Sequence, residues 1–435
     1  MRGARVVVAG LALALAAGAR AQAGVAEPIP KPELQLLSDV VRYIKRDFAG
    51  AIDDAVLASG CADAVASQSG TAERAARTLD AIPPLLMRAK AAAPADVGYR
   101  RLVHACVEGL VGMLDHHSKF INEAEFRALY RSGGIAATGL ELRKDGEALV
   151  VIEALPGTPA AKAGMRAGDR IVRIDAGTVG ALALNEAVNR LRGAVGSAVA
   201  LTVERTGAHK PLELVLKRET IRLATARVGW GEGDILQLRI VRFAEGTRTE
   251  MLRELAALPD AATREPRGIV LDLRDNSGGT LLAAVDASGL FLEEGVEVGA
   301  TRGRGLRLIE SYRANDRDRV TYYGPAVPMR LSQALKRVPL AVLINQHTAA
   351  GAEILAAALQ GNGRAQLVGA RTLGMGSVQT LFPLSGGAAL KVTTAYWHAP
   401  RDVQLEGRPL QPDVPAGGDG AMREALRTLA ESPRK

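Results

Sequence analysis

The sequence predicts an α/β protein with a helical N-terminal region and a smaller β-rich module ahead of its main sheet. Three observations carry this. From Gly24 to about Arg131 the chain is Ala-rich and helix-periodic, as in "ELQLLSDVVRYIKRDF". From about Gly133 the pattern changes to short alternating segments separated by Gly and Asp-Gly turns. From about Ile221 buried apolar runs alternate with helical stretches, which argues a mainly parallel sheet covered by helices, with functional groups at the carboxyl ends of its strands.

At 435 residues, with 48% hydrophobic and 23% charged residues, the chain reads as globular and too long for one ordinary core. Its first residues show Arg2 and Arg5, an apolar stretch from Val6 to Ala17, and a small-residue site at Ala21-Gln22-Ala23. That order is the pattern of a secretory signal peptide, with cleavage expected after Ala23, and the stretch is too short to span a bilayer. A periplasmic or secreted protein is therefore expected, with no stable membrane span. Loss of Arg2, Arg5 and Arg20 would lower the formal charge from +8 to +5. With no basic tract interleaved with aromatics, and only 3% aromatic residues, nucleic-acid binding has little support.

In the helical region, residues 24–133, Pro83-Pro84 reads as a break in the run "TAERAARTLDAIPPLLMRAKAAA". Cys61 and Cys106 are the only cysteines, and an exported chain meets an oxidising compartment, so they read as a disulfide or as two buried thiols. No metal site or cofactor is expected. His116 and His117 are adjacent, and helical neighbours point about 100° apart, a poor joint ligand set.

The middle module begins with "TGLELRKDGEALVVIEAL", two strands joined at Asp145-Gly146. A loop and short helix follow in "PGTPAAKAGMRAGDRIVRIDAGTV", then a strand led in by Gly168-Asp169. "NEAVNRLRG" is a second short helix and "AVALTVERTG" a further strand. This order, and above all the stretch "PGTPAAKAGMRAGDRIVRID", resembles a PDZ domain of the bacterial protease type over about 134–220. Such domains take a peptide's free C-terminus as an added strand, with backbone N–H groups receiving the carboxylate. The resemblance implies that Gly139, Leu140, Glu141 and Leu142 form the carboxylate loop and groove strand, faced by Val188 and Leu191; the same apolar residues also suit a core.

In the last part, residues 221–415, "RGIVLDLRDNSGG" reads as a buried strand and Gly-closed turn, "TLLAAVDASGLFLEEG" as the next helix and "VPLAVLIN" as a second buried strand. "AGAEILAAALQGN" is a helix, and "AQLVGA" and "AALKVTTAYW" are strands, with a C-terminal helix or tail over 416–435. Together with "LGMGSVQTLFPLSGG", the closing "LQPDV" and the upstream "LDHHSKFI", this part resembles the carboxyl-terminal processing, or tail-specific, proteases. The last of these motifs has His116 where that family has Pro. The likeness implies a crotonase-like protease core with the PDZ domain inserted, and a serine-type peptidase site of Ser nucleophile, Lys base and orienting Gln.

Laid on this sequence, the nucleophile position falls on Ala350 in "TAAGAE" and the base position on Met375 in "LGMGSVQT". Gln379 holds the orienting position, and Gly279 and Gly351 would supply the two oxyanion N–H groups. A methyl group has no lone pair to attack a carbonyl, and a thioether takes no proton near neutral pH, so the family's chemistry is not available from these side chains. The expectation is a protein that binds C-terminal tails or unfolded polypeptide without cleaving them, with an active relative or adaptor, or an oligomer, left open as a partner. Two alternatives stand beside it: a peptidase with relocated residues, beginning with Thr348 beside His347 and with Ser377, or a purely structural assembly partner.

Overall fold

The computed structural model describes residues 27–71, 76–130, 136–155, 157–182, 184–208, 210–220, 224–315, 326–418 and 420–432. The expected signal peptide lies outside them. No helix among the described residues is long and apolar enough to cross a membrane. The chain divides into two compact units, one holding residues 53–113 with the stretch up to Leu37, the other 38–52 with 114–435.

The first unit packs the helices Asp54–Ser69, Ile82–Ala92 and Tyr99–Gly112. Its first and third helices approach backbone to backbone, because a methyl built on Gly109 would lie 2.2 Å from the Gly60 carbonyl oxygen. A disulfide joins the neighbouring Cys61 and Cys106, both fully buried, across the same contact. Pro83 and Pro84 do not break a helix; they stand in the first turn of Ile82–Ala92. The first amides of a helix have no intrahelical partner, so proline costs nothing there.

In the second unit the PDZ-like module is a sheet of antiparallel neighbours in the order 140–145, 148–154, 170–174, 198–204, 212–217. Leu149, Ile171, Leu191, Val199 and Leu201 are among the residues of its core.

The main sheet runs in the order 226–230, 235–240, 268–272, 340–344, 366–369, 414–415, and every pairing after the first is parallel. The strands Gly268–Asp272 and Leu340–Ile344 are buried at every position, as continuous apolar runs in a sheet covered on both faces must be. On one side pack Leu271, Ile344, Ala284 and Leu355; on the other Val270 and Leu343 meet Ala425 and Leu429 of the C-terminal helix Gly420–Glu431. A second sheet pairs 389–399 antiparallel with 297–302, with 377–383 and with the short strand Lys119–Ile121.

Candidate active site

The strands Gly268–Asp272 and Leu340–Ile344 are parallel neighbours, and the turns leaving their carboxyl ends interlock. Asn276 is fully buried: its side-chain amide donates to the Ile240 carbonyl at 2.8 Å, its Oδ1 accepts from Gly278 N at 2.8 Å, and its carbonyl accepts from Ala349 N at 3.0 Å. Asn345 mirrors it, accepting from Asp275 N at 3.0 Å and donating to Asp275 Oδ1 at 2.8 Å. The turn tips are thereby held against each other.

At the contact lies Ala350, with φ 47° and ψ −115°, immediately before the helix Gly351–Gly361. This is a backbone region in which an L-residue is strained by about 1–3 kcal/mol. Gly278 abuts it so closely that a methyl there would lie 2.7 Å from the Ala350 Cβ and 2.8 Å from Gly351 N. Gly279, at φ 137°, leaves no room for a side chain either, since a Cβ would sit 1.8 Å from the Phe243 carbonyl oxygen. Among the described residues no backbone partner takes the Gly279 or Gly351 N–H. A strand-to-helix turn that presents one strained residue beside free N–H donors is the geometry of an acyl-transfer site.

A buried carboxylate ties this turn to the segment carrying Met375. Glu353 has no exposed surface, and it accepts from Ala350 N at 3.1 Å, Gly374 N at 2.7 Å, Met375 N at 2.8 Å and the Thr372 hydroxyl. Burial pushes its carboxyl above the ordinary range, against the pull of those four donors. Sequence reasoning passed over Glu353, although its place three residues after a helix N-cap is the capping-box spacing. It also passed over Asn276 and Asn345, whose polar side chains read as ordinary turn residues until the two strands are known to be neighbours. Met375 is half-buried, whereas Gln379 is exposed and donates to Ser377 Oγ at 2.9 Å.

The relocated residues are otherwise engaged. The Thr348 hydroxyl is fully buried, donates to the Leu273 carbonyl at 2.9 Å and accepts from Asn345 N at 3.0 Å. His347 is exposed and lies 3.0 Å from Asp275 Oδ1. Thr348 is a staple of the turn, and His347 is paired away from it.

In the PDZ-like module the strand Leu140–Asp145 is at the edge of its sheet, and among the described residues no strand pairs with its other side, the side a further strand would take. Gly139, at φ 81°, packs so tightly on Thr158 that a methyl would meet it at 2.3 Å. Leu140 and Leu142 are partly buried against the core, Val188 is half-buried, and Leu191 is 3% exposed within the core itself. The Glu141 backbone belongs to the edge strand; its side chain is outside the described set.

One expectation is corrected. His116 and His117 were read as helical neighbours, but the helix ends at Gly112 and the pair sits on a bend. The rings converge, with centroids 3.8 Å apart, on Glu406.

Residues 234–416 match peptidase family S41, and residues 150–205 match the PDZ domain. A carboxy-terminal-processing protease of Bartonella bacilliformis is 34% identical over 321 residues, 72% of this chain and 69% of the relative. A carboxyl-terminal-processing protease of Picosynechococcus sp. is 34% identical over 306 residues, 69% of each. Among solved structures, a photosystem II D1 C-terminal processing protease covers 93% of this chain and 100% of its own, with TM-score 0.52 and 24% identity, a likeness of fold. On this homology and fold, the chain belongs to peptidase family S41, among the carboxyl-terminal processing proteases, and carries a PDZ domain.

Proposed function

We propose that this is an exported member of the family that binds polypeptide C-termini through its PDZ domain and does not hydrolyse them. The observation that carries the reading is Ala350. A strained, positive-φ backbone is an expensive conformation for alanine, and it is useful where a side chain must be thrust at a substrate. Here the frame is kept, with Gly278, Gly279, Gly351 and Glu353 all in place, while the side chain it presents is a methyl group. Met375 replaces a cation with an uncharged thioether that needs no counter-charge in a half-buried site. The open edge strand behind Gly139 supports tail binding as the retained activity, because strand addition needs only an unpaired backbone and a loop for the carboxylate.

The test is a matched pair of assays on wild type and on Ala350→Ser/Met375→Lys. Wild type is expected to bind an apolar-ended peptide, to lose that binding when the carboxylate is amidated, and to leave an unfolded reporter intact. The double variant is expected to cleave the reporter. Cleavage by wild type would overturn the reading, and so would indifference to amidation.

A further inference from the structure

His116, His117 and Glu406 form a cluster to which neither the expected catalytic residues nor the PDZ groove residues belong. Each offers one ligand atom, and these atoms all lie within 4.8 Å of one another. Asp115 shapes the bend that aims the histidines, its Oδ1 accepting from His117 N at 3.1 Å and Ser118 N at 2.7 Å. Glu406 is fixed from the other side, because its Oε2 accepts from Gly376 N at 2.8 Å, leaving Oε1 to face the histidines.

We propose that these three residues bind a zinc ion. Two imidazoles and one carboxylate are a set that zinc accepts, with the fourth position left to water or another ligand. The His117–Glu406 spacing is compatible with a shared ion as well as with a hydrogen bond. His117 Nε2 and Glu406 Oε1 are 3.3 Å apart, longer than the usual ~2.9–3.0 Å of an N–H···O bond. Tetrahedral bonds of about 2.0–2.1 Å put ligand atoms roughly 3.3 Å apart. The side chains of His117 and Glu406 are only 12% and 22% exposed, so two ligands are largely pre-positioned, while exposed His116 can rotate in to complete the set. Gly376 follows Met375, and Glu406 holds both the proposed ion and the Gly376 N–H. Zinc would therefore brace the segment that carries the lost base position, joining it to the 115–118 bend.

The experiment is calorimetric titration of zinc into the untagged full chain after chelator treatment, with the melting temperature followed in parallel. One equivalent is expected to bind and to raise the melting temperature. His116→Ala and Glu406→Gln are each expected to weaken binding at least about tenfold, as even loss of a supporting group around a metal commonly does. His347→Ala, at an exposed histidine outside the cluster, should leave it unchanged. Circular dichroism of each variant separates a lost site from a lost fold. Absence of saturable binding, or binding that survives both cluster substitutions in folded protein, would overturn the proposal.

Discussion

Ala350 and Glu353 show how much of this candidate site is backbone. The strained turn at Ala350 persists because its surroundings over-determine it: Gly278 fits under the Ala350 Cβ, Ala349 N is held by Asn276, and Ala350 N is held by Glu353. Glu353 links two loops, since it receives hydrogens from both the 350 turn and the 374–375 segment, beside the Leu373 N–H bond to the Thr348 carbonyl. Glu353→Ala would strand four donors, two of them buried and two part-buried, a buried one costing about 1–3 kcal/mol when unsatisfied, though not additively. A loss of at least about 2 kcal/mol in denaturant unfolding is expected, and Ala350→Ser/Met375→Lys carrying Glu353→Ala should lose the cleavage predicted for the double variant. An unfolding midpoint unchanged by Glu353→Ala would mean that the two loops hold themselves in place. The family resemblance pointed to Ala350 and Met375, but the carboxylate coupling their two segments was not legible. Its partners are the backbone N–H groups of Gly374 and Met375, which no side-chain pattern reports.

At the scale of elements, alternation of buried runs and helices was enough to predict a parallel sheet, because strands buried on both faces must be continuously apolar. The proline pair was misread since its effect depends on where the helix starts: inside a helix Pro83-Pro84 would break it, in the first turn it does not. Helix against helix, the N-terminal unit turns on glycine. Gly109→Ala should destabilise it by about 1–3 kcal/mol, because the methyl has only the Gly60 carbonyl and the Ala64 Cβ to meet. Gly112→Ala, in the same helix with open space around it, should stabilise by about 0.5–1 kcal/mol. Thermal melts of the two variants shifting in opposite directions would confirm the contact; equal shifts would refute it. The disulfide was one of two readings open for Cys61 and Cys106, and the helix crossing decides between them by setting their Cα atoms 4.1 Å apart.

For the whole molecule, the response to acid follows from which carboxylates are paired in the folded state. Asp169, 1% exposed, is pushed up by burial, but the Arg205 guanidinium at 2.7 Å and the Arg166 N–H outweigh this and hold it below the ordinary range. A carboxylate depressed in the folded state contributes stability above its unfolded pKa of about 3.9, and loses it as pH falls through the folded value. Glu353, raised by burial, works in the opposite sense: its term is present below the unfolded pKa and is lost as pH rises. The depressed Asp275 and Asp402 are more than half exposed, where solvent screens the pairing, and they should add little. Asp169→Asn should therefore lower the melting temperature of the PDZ-bearing unit at pH 7, with the difference from wild type shrinking as pH falls below the unfolded pKa of about 3.9; a gap independent of pH would show that Asp169 acts by packing. By itself the sequence determined the class of fold, the PDZ resemblance and the family, because periodicity and motif spacing are local properties of the chain. Only the tertiary structure decided that Thr348 is a staple, that Glu353 joins two loops, that the strand behind Gly139 lies at a sheet edge among the described residues, and that His116 and His117 meet Glu406 across 289 residues. Each of these depends on which distant segments become neighbours, a matter of packing that no local pattern encodes.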